Sequence, residues 1–172
     1  MSGPRPARKP NNARKPSVNV YTPWWLPLSF AGSVLGVGVT VAFLSILSSQ
    51  GGGSAQEISA GPLPGWVFWA VWLIIYPAMG VSTFLVWRKR READVRLPLA
   101  LSAVAFLQNL SFWLSRSLGT TVAIDAIGLV LAYFTAWVYS RTSRAAATWL
   151  LPWLVWMPIT TVLKFWMWVY AR

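Results

Sequence analysis

The chain contains no cysteine and no histidine, and only four acidic residues among its 172. Without cysteine it has no disulfides, no thiolate metal site and no sulfur nucleophile. Without histidine it has no imidazole for zinc or haem iron and no Ser-His-Asp relay. No acid–base pair is evident either, so any chemistry must run through aromatic rings or through a bound molecule. Charge is scarce at 11% of residues, and it is one-sided, with 15 Lys and Arg giving a net charge of +11. What fills the chain instead is apolar: 56% hydrophobic residues, a mean hydropathy of +0.51 and 13 tryptophans. That composition is too apolar for a soluble domain of this size and defines a membrane protein.

Apart from Lys164, the basic residues lie between the apolar runs rather than on them, which argues against nucleic acid as a partner. Residues 1–20 are rich in Pro, Arg, Lys, Asn and Ser, with little to bury, and read as a disordered basic arm. Residues 21–172 read as one membrane domain with apolar spans at about 26–48, 66–87, 97–115, 122–139 and 149–170. The first run is long enough to cross ~30 Å of hydrocarbon at ~1.5 Å per residue. It is also too long for a signal-peptide core of ~7–15 residues, so it is expected to be retained. Backbone groups in lipid must be satisfied within the segment, and no ten-residue alternation appears, so the expected fold is all-α: an integral membrane bundle of five transmembrane helices.

Lys and Arg alternate between loops. Five precede the first span, none lie in the Gly- and Ser-rich connection 49–64, and five (Arg88, Lys89, Arg90, Arg91 and Arg96) follow the second span. This places the amino terminus inside and the carboxyl terminus outside, an arrangement suited to a prokaryotic cytoplasmic membrane. The final residue, Arg172, runs against the pattern.

Within the second span, Trp66, Trp69, Trp72, Tyr76, Gly80 and Trp87 fall mostly on one third of the helix circumference. Trp66 and Trp87 bracket the span as interfacial rings do, and so do Trp24, Trp25, Trp149 and Trp168 elsewhere. Trp72 lies deeper, where an indole N–H facing lipid has no partner, so it is read as a pocket wall or a packing residue. In the last span Trp149, Trp153, Trp156 and Thr160 recur at i, i+4, i+7 and i+11, with Pro152 and Pro158 expected to kink the helix beside them. That face reads equally as a concave aromatic wall or a packing seam. Among the intramembrane polar residues, Asn109 can hydrogen-bond a ligand or join helices. Asp125 reads chiefly as a cap on the fourth span. Lys164 either snorkels to the end of its helix, the favoured reading, or meets a ligand carboxylate. Gly32 and Gly36 form a small-residue face, followed by Gly38, for a neighbouring helix or a second copy.

Several runs in this sequence resemble one family. They are Trp66-Val67-Phe68, Trp72, Tyr76, Met79-Gly80 and Leu85-Val86-Trp87 after Pro62 and Pro64, and Leu150-Leu151-Pro152-Trp153-Leu154-Val155-Trp156 with Leu163 and Trp168. Together with Asn109 and Asp125, they are similar to the second, fifth, third and fourth helices of the tryptophan-rich sensory protein and mitochondrial translocator protein family. The resemblance covers residues 23–170 and implies a five-helix bundle, often dimeric, with a pocket open toward the first loop. It implies a receptor or transporter-like protein for a flat apolar ligand, a porphyrin or haem-like tetrapyrrole, with no required cofactor and no metal. Carried over by motif, the ligand-binding set is Trp66, Phe68, Trp72, Tyr76, Asn109, Trp153, Trp156, Thr160 and Lys164. Trp72 and Trp156 match the pair to which light- and oxygen-dependent porphyrin breakdown is attributed in some bacterial members, so a degrading protein is one alternative. A structural or regulatory membrane partner, docking its basic tail on anionic lipid, is another.

This chain departs from the family in several places. The first loop lacks the usual Trp-Tyr pair and Lys-Pro-x-Trp motif. Lys164 stands where the family has asparagine, and is placed to pair with a ligand propionate instead. Thr160 stands at the small pocket position, Phe112 replaces a tryptophan, and Phe165 replaces the tyrosine of a sterol-type motif, which argues against sterol binding.

Overall fold

The computed structural model describes residues 23–47, 63–115 and 117–170. The expected basic arm and nearly all of the first connection lie outside these described residues. Among the described residues all regular structure is helical. The elements are α1 (Trp25–Leu47), α2 (Gly65–Arg88), a 3-10 turn (Lys89–Arg91), α3 (Arg96–Trp113), α4 (Leu118–Thr142), α5 (Arg144–Trp149) and α6 (Leu151–Tyr170). Three stretches, Trp25–Leu47, Trp66–Arg91 and Leu118–Thr142, are long and apolar enough to cross a membrane.

Six α-helices stand where five were expected, because the expected connection before the last span forms a short helix of its own, separated from the span at Leu150. Pro152 has no N–H to donate to the preceding turn, so a helix arriving from Arg144 cannot run through it, whereas a new helix can start there. Ser143 opens α5 by accepting from the Ala146 N–H at 3.3 Å, and α6 opens with Pro152 as its second residue. Pro152 therefore starts a helix rather than kinking one; Pro158 does lie inside α6. The fourth span also begins earlier than expected. Ser117 is its N-cap, with Oγ accepting from the Thr120 N–H at 3.2 Å. Asp125 is thus two turns into α4 and is not a cap.

The helices close a ring. α1 packs along α2, α2 against α5 and α6, α6 along α4, α4 along α3, and α3 against both α1 and α2. Two glycines explain how closely α1 meets α2. A Cβ on Gly80 would lie 2.5 Å from both the Ala31 Cα and the Phe30 carbonyl oxygen, and one on Gly38 would enter the Tyr76 ring. Gly128 plays the same part in α4, where a Cβ would lie 2.6 Å from the Gln108 amide nitrogen and 2.8 Å from the Met157 methyl. The expected close-approach face is therefore only partly used inside the chain. Gly38 serves it, while Gly32 and Gly36 have open space beside them and line an outward groove of about 400 Å³.

Hydroxyls tie the ring across helices. Ser82 donates to the Ala146 carbonyl at 2.6 Å, Ser45 to the Trp113 carbonyl, and Ser102 pairs with the Tyr139 hydroxyl. Such bonds supply specificity where lipid gives no hydrophobic drive between helices. The outer surface is apolar as well: Leu73, Ile74, Leu107, Val130, Val155 and Val162 are all exposed. Only a hydrocarbon solvent accommodates that surface without cost.

Candidate functional site: an aromatic interior beside a buried ion pair

Phe68, Trp72 and Tyr76 recur every fourth residue along α2 and form one inward stripe, all of it buried. The end of α3 contributes Asn109, Phe112 and Trp113, and α6 contributes Trp153, Trp156, Thr160 and Lys164, all buried. These three stripes meet around Phe68. Its ring centroid is 6.2 Å from Trp72, 6.2 Å from Trp156, and 5.8 Å from each of Phe112 and Trp113. Trp72 is stacked on Phe112 at 6.2 Å and tilted against Tyr76 at 5.0 Å, and Trp69 is stacked on Trp113 at 5.4 Å. Offset and edge-on ring pairs of this kind each contribute about 0.5–1.5 kcal/mol beyond area burial.

The indole N–H groups divide into two kinds. Trp113 donates to the Tyr76 hydroxyl at 2.7 Å, so both polar atoms are satisfied in a dry interior. Trp72, Trp153 and Trp156 present buried N–H groups with no acceptor among the described residues. A buried donor left unpaired costs about 1–3 kcal/mol, and each of these three indoles carries that cost among the described residues.

Beside the rings sits an ion pair. Lys164 Nζ on α6 meets Asp125 Oδ2 on α4 at 2.6 Å, with the side chains only 2% and 6% exposed. The same ammonium lies 4.1 Å from the centroid of Phe112, on its face. Lys164 therefore does not snorkel: a partner one helix away holds it inside, at a place where reaching out would strand a carboxylate. Asp125, read from sequence as a cap, is the other half of the pair.

Of the nine residues expected to bind ligand, eight are buried. Phe68, Trp72, Tyr76 and Trp156 are linked through ring contacts, and Trp153, Thr160 and Lys164 share the inward face of α6. Trp66 is not brought in; it is 72% exposed at the start of α2. Trp149 also leaves the α6 stripe, because the break at Leu150 turns it outward. Asn109 turns its amide back onto the Ala105 carbonyl of its own helix at 2.7 Å. Its neighbour Gln108 joins helices instead, donating to the Ile124 carbonyl of α4 at 2.7 Å.

Sequence reading missed Trp113 and the partnership of Asp125 with Lys164. Trp113 lies at the last turn of its span, where a belt tryptophan is expected, so only its distance to Tyr76 reveals its role. The ion pair had a legible signal in the rarity of charge: two opposite charges inside apolar spans are costly unless they meet.

The described residues form an all-helical bundle with an apolar outer surface and an aromatic interior, which defines an integral membrane protein. The chain belongs to the TspO/MBR family, whose profile matches residues 30–169. Translocator protein 2 of Mus musculus is 32% identical over 117 residues, covering 61% of this chain and 69% of that protein. The translocator protein of Ovis aries is 29% identical over 113 residues, covering 61% of this chain and 66% of its own length. The tryptophan-rich protein TspO of Archaeoglobus fulgidus is 26% identical over 135 residues, covering 77% of this chain and 88% of that protein. The match thus spans about two thirds of the length of the first two relatives. No solved structure matches the chain.

Proposed function

We propose that the protein is a receptor or translocator that binds a flat apolar ligand of the tetrapyrrole class among the rings of α2, α3 and α6. The observation that carries this reading is the set of three unpaired indole donors on Trp72, Trp153 and Trp156, two of which flank Phe68 at 6.2 Å. A porphyrin supplies what they lack: a broad π-face for stacked and edge-on rings, and acceptor atoms for N–H groups. The translocator names of the relatives support the same class of activity.

In this reading the membrane is crossed five times, by α1, α2, α3, α4 and α6. At ~1.5 Å per residue, the 18 residues of α3 and 20 of α6 extend roughly 27–30 Å, close to the thickness of the hydrocarbon core. The basic segment 88–96 and Arg141 and Arg144 share one end of the bundle, and we assign that end to the cytoplasmic side.

Protoporphyrin titrated into detergent-purified protein should quench tryptophan fluorescence saturably. Replacing Trp72 and Trp156 by Phe together should weaken binding by roughly tenfold or more, since each indole contributes about 1 kcal/mol of ring contact and donor interaction. Equal saturable quenching in wild type and double variant would remove the pocket assignment.

A further inference from the structure

The ion pair adjoins the aromatic interior through the ring of Phe112. Lys164 Nζ rests on the face of Phe112, and Phe112 in turn contacts Phe68 and Trp72. We propose that Lys164 receives a carboxylate of the bound ligand, that Asp125 surrenders its place at Lys164 and takes up a proton, and that binding is therefore coupled to uptake of one proton per carboxylate held. This rests on the ligand site proposed above.

The argument is one of charge balance. Lys164 and Asp125 are neutral as a pair, and both are buried. A ligand carboxylate that simply joined them would leave a net negative charge in an apolar interior, where an uncompensated charge is strongly disfavoured. No other cation is placed to offset it among the described residues. Apart from this pair, the charged side chains there are those of segment 88–96, Arg141 and Arg144. Arg141 lies on α4 itself, roughly 24 Å along the helix from Asp125 at ~1.5 Å per residue. The groups recorded close to the pair from the packed helices are uncharged: Phe112 on α3, and Thr160, one turn from Lys164, on α6.

Exchange keeps the site neutral. The pair Lys164 ammonium and Asp125 carboxylate, plus ligand carboxylate, plus one proton from water, becomes Lys164 ammonium with ligand carboxylate, and Asp125 as the neutral acid. One N–H···O contact breaks and one forms, and the proton ends on the Asp125 oxygen that Lys164 has left. Two consequences follow. The site prefers a ligand with a free carboxylate over the same ring system without one. Because a proton is taken up on binding, affinity for the carboxylate form rises as pH falls, by about tenfold per pH unit at full coupling.

The test compares protoporphyrin with its dimethyl ester, titrated by tryptophan quenching at pH 6, 7 and 8 against wild type and the double variant Lys164→Met with Asp125→Leu. The double change removes both charges together, so neither is left unpaired, and a melting curve verifies that it is folded. Wild type should bind the acid about tenfold or more tightly than the ester at pH 6, as a charge-assisted contact implies. The acid-to-ester ratio should decline with rising pH in wild type, and in the double variant it should be near one at every pH. That comparison separates the effect from the acid's own pH-dependent partition into detergent. Equal binding of acid and ester by wild type, or a preference that survives in the double variant, overturns the inference while leaving the ligand site standing. If neither compound binds saturably, the ligand site falls and this inference falls with it.

Discussion

Removing one member of the ion pair gives the sharpest stability prediction. Lys164→Met keeps a long flexible side chain at a position only 2% exposed but leaves Asp125, 6% exposed, with no cation. Breaking a buried pair in this way costs about 3–5 kcal/mol, whereas exposed pairs are worth only ~0–1 kcal/mol. The reverse single change, Asp125→Leu, strands the ammonium with only the face of Phe112 for company and should cost a similar amount. Making both changes restores neutrality and apolar packing, so the double variant should lie within about 1–2 kcal/mol of wild type, and it can exceed it. The coupling between the two positions is then roughly 3 kcal/mol or more. In a chain of this size each kcal/mol moves the melting temperature by about 2–4 °C, so the single variants should melt about 10 °C lower in detergent. Thermal unfolding of all four proteins at neutral pH and fixed detergent measures this directly. Single variants that each lose less than about 1 kcal/mol, or a double variant as unstable as either single one, would refute the claim that the pair is buried and mutually dependent.

The glycines separate close packing from open surface. Gly80→Ala gains up to ~1 kcal/mol of helix propensity but drives a methyl into the α1 backbone, for a net loss of about 1–3 kcal/mol. Gly36→Ala, with nothing beside it in the chain, should be neutral to about 1 kcal/mol stabilising for the isolated chain, and melting curves distinguish the two. Tyr76→Phe removes the acceptor for the Trp113 indole and should cost about 1–3 kcal/mol by the same assay, leaving a fourth unpaired indole donor in the interior.

Much of the architecture was legible because lipid imposes strong rules. Long apolar runs with nearly all charge between them admit little but helices, and of the aromatic stripe read on the second span Trp72 and Tyr76 do face inward while Trp66 does not. Trp24, Trp25 and Trp149 turned out exposed near helix ends, as their positions implied. The failures have a common cause: periodicity describes one helix at a time. It carried the stripe of the last span straight through Trp149, although Pro152 starts a new helix there. It assigned Asp125 and Lys164 separate local roles, as a cap and as a snorkelling chain, because neither shows in its own neighbourhood the partner 39 positions away. Likewise it could not tell that Gly38 and Gly80 face the α1–α2 seam while Gly32 and Gly36 face outward. Pairings across helices decide such matters, and a single helical pattern holds no information about them.

The central claim is that the unpaired indole donors of Trp72, Trp153 and Trp156 form the ligand site. Isotopic labelling of the tryptophan indole nitrogens, with each signal assigned by single Trp→Phe variants, allows all N–H groups to be followed by magnetic resonance while protoporphyrin is added. The account predicts that the signals of Trp72, Trp153 and Trp156 shift as their N–H groups gain acceptors, while that of Trp113, already bonded to Tyr76, changes little. Movement confined to exposed tryptophans such as Trp66, Trp137 and Trp149, with the three interior donors unchanged at saturation, would contradict it.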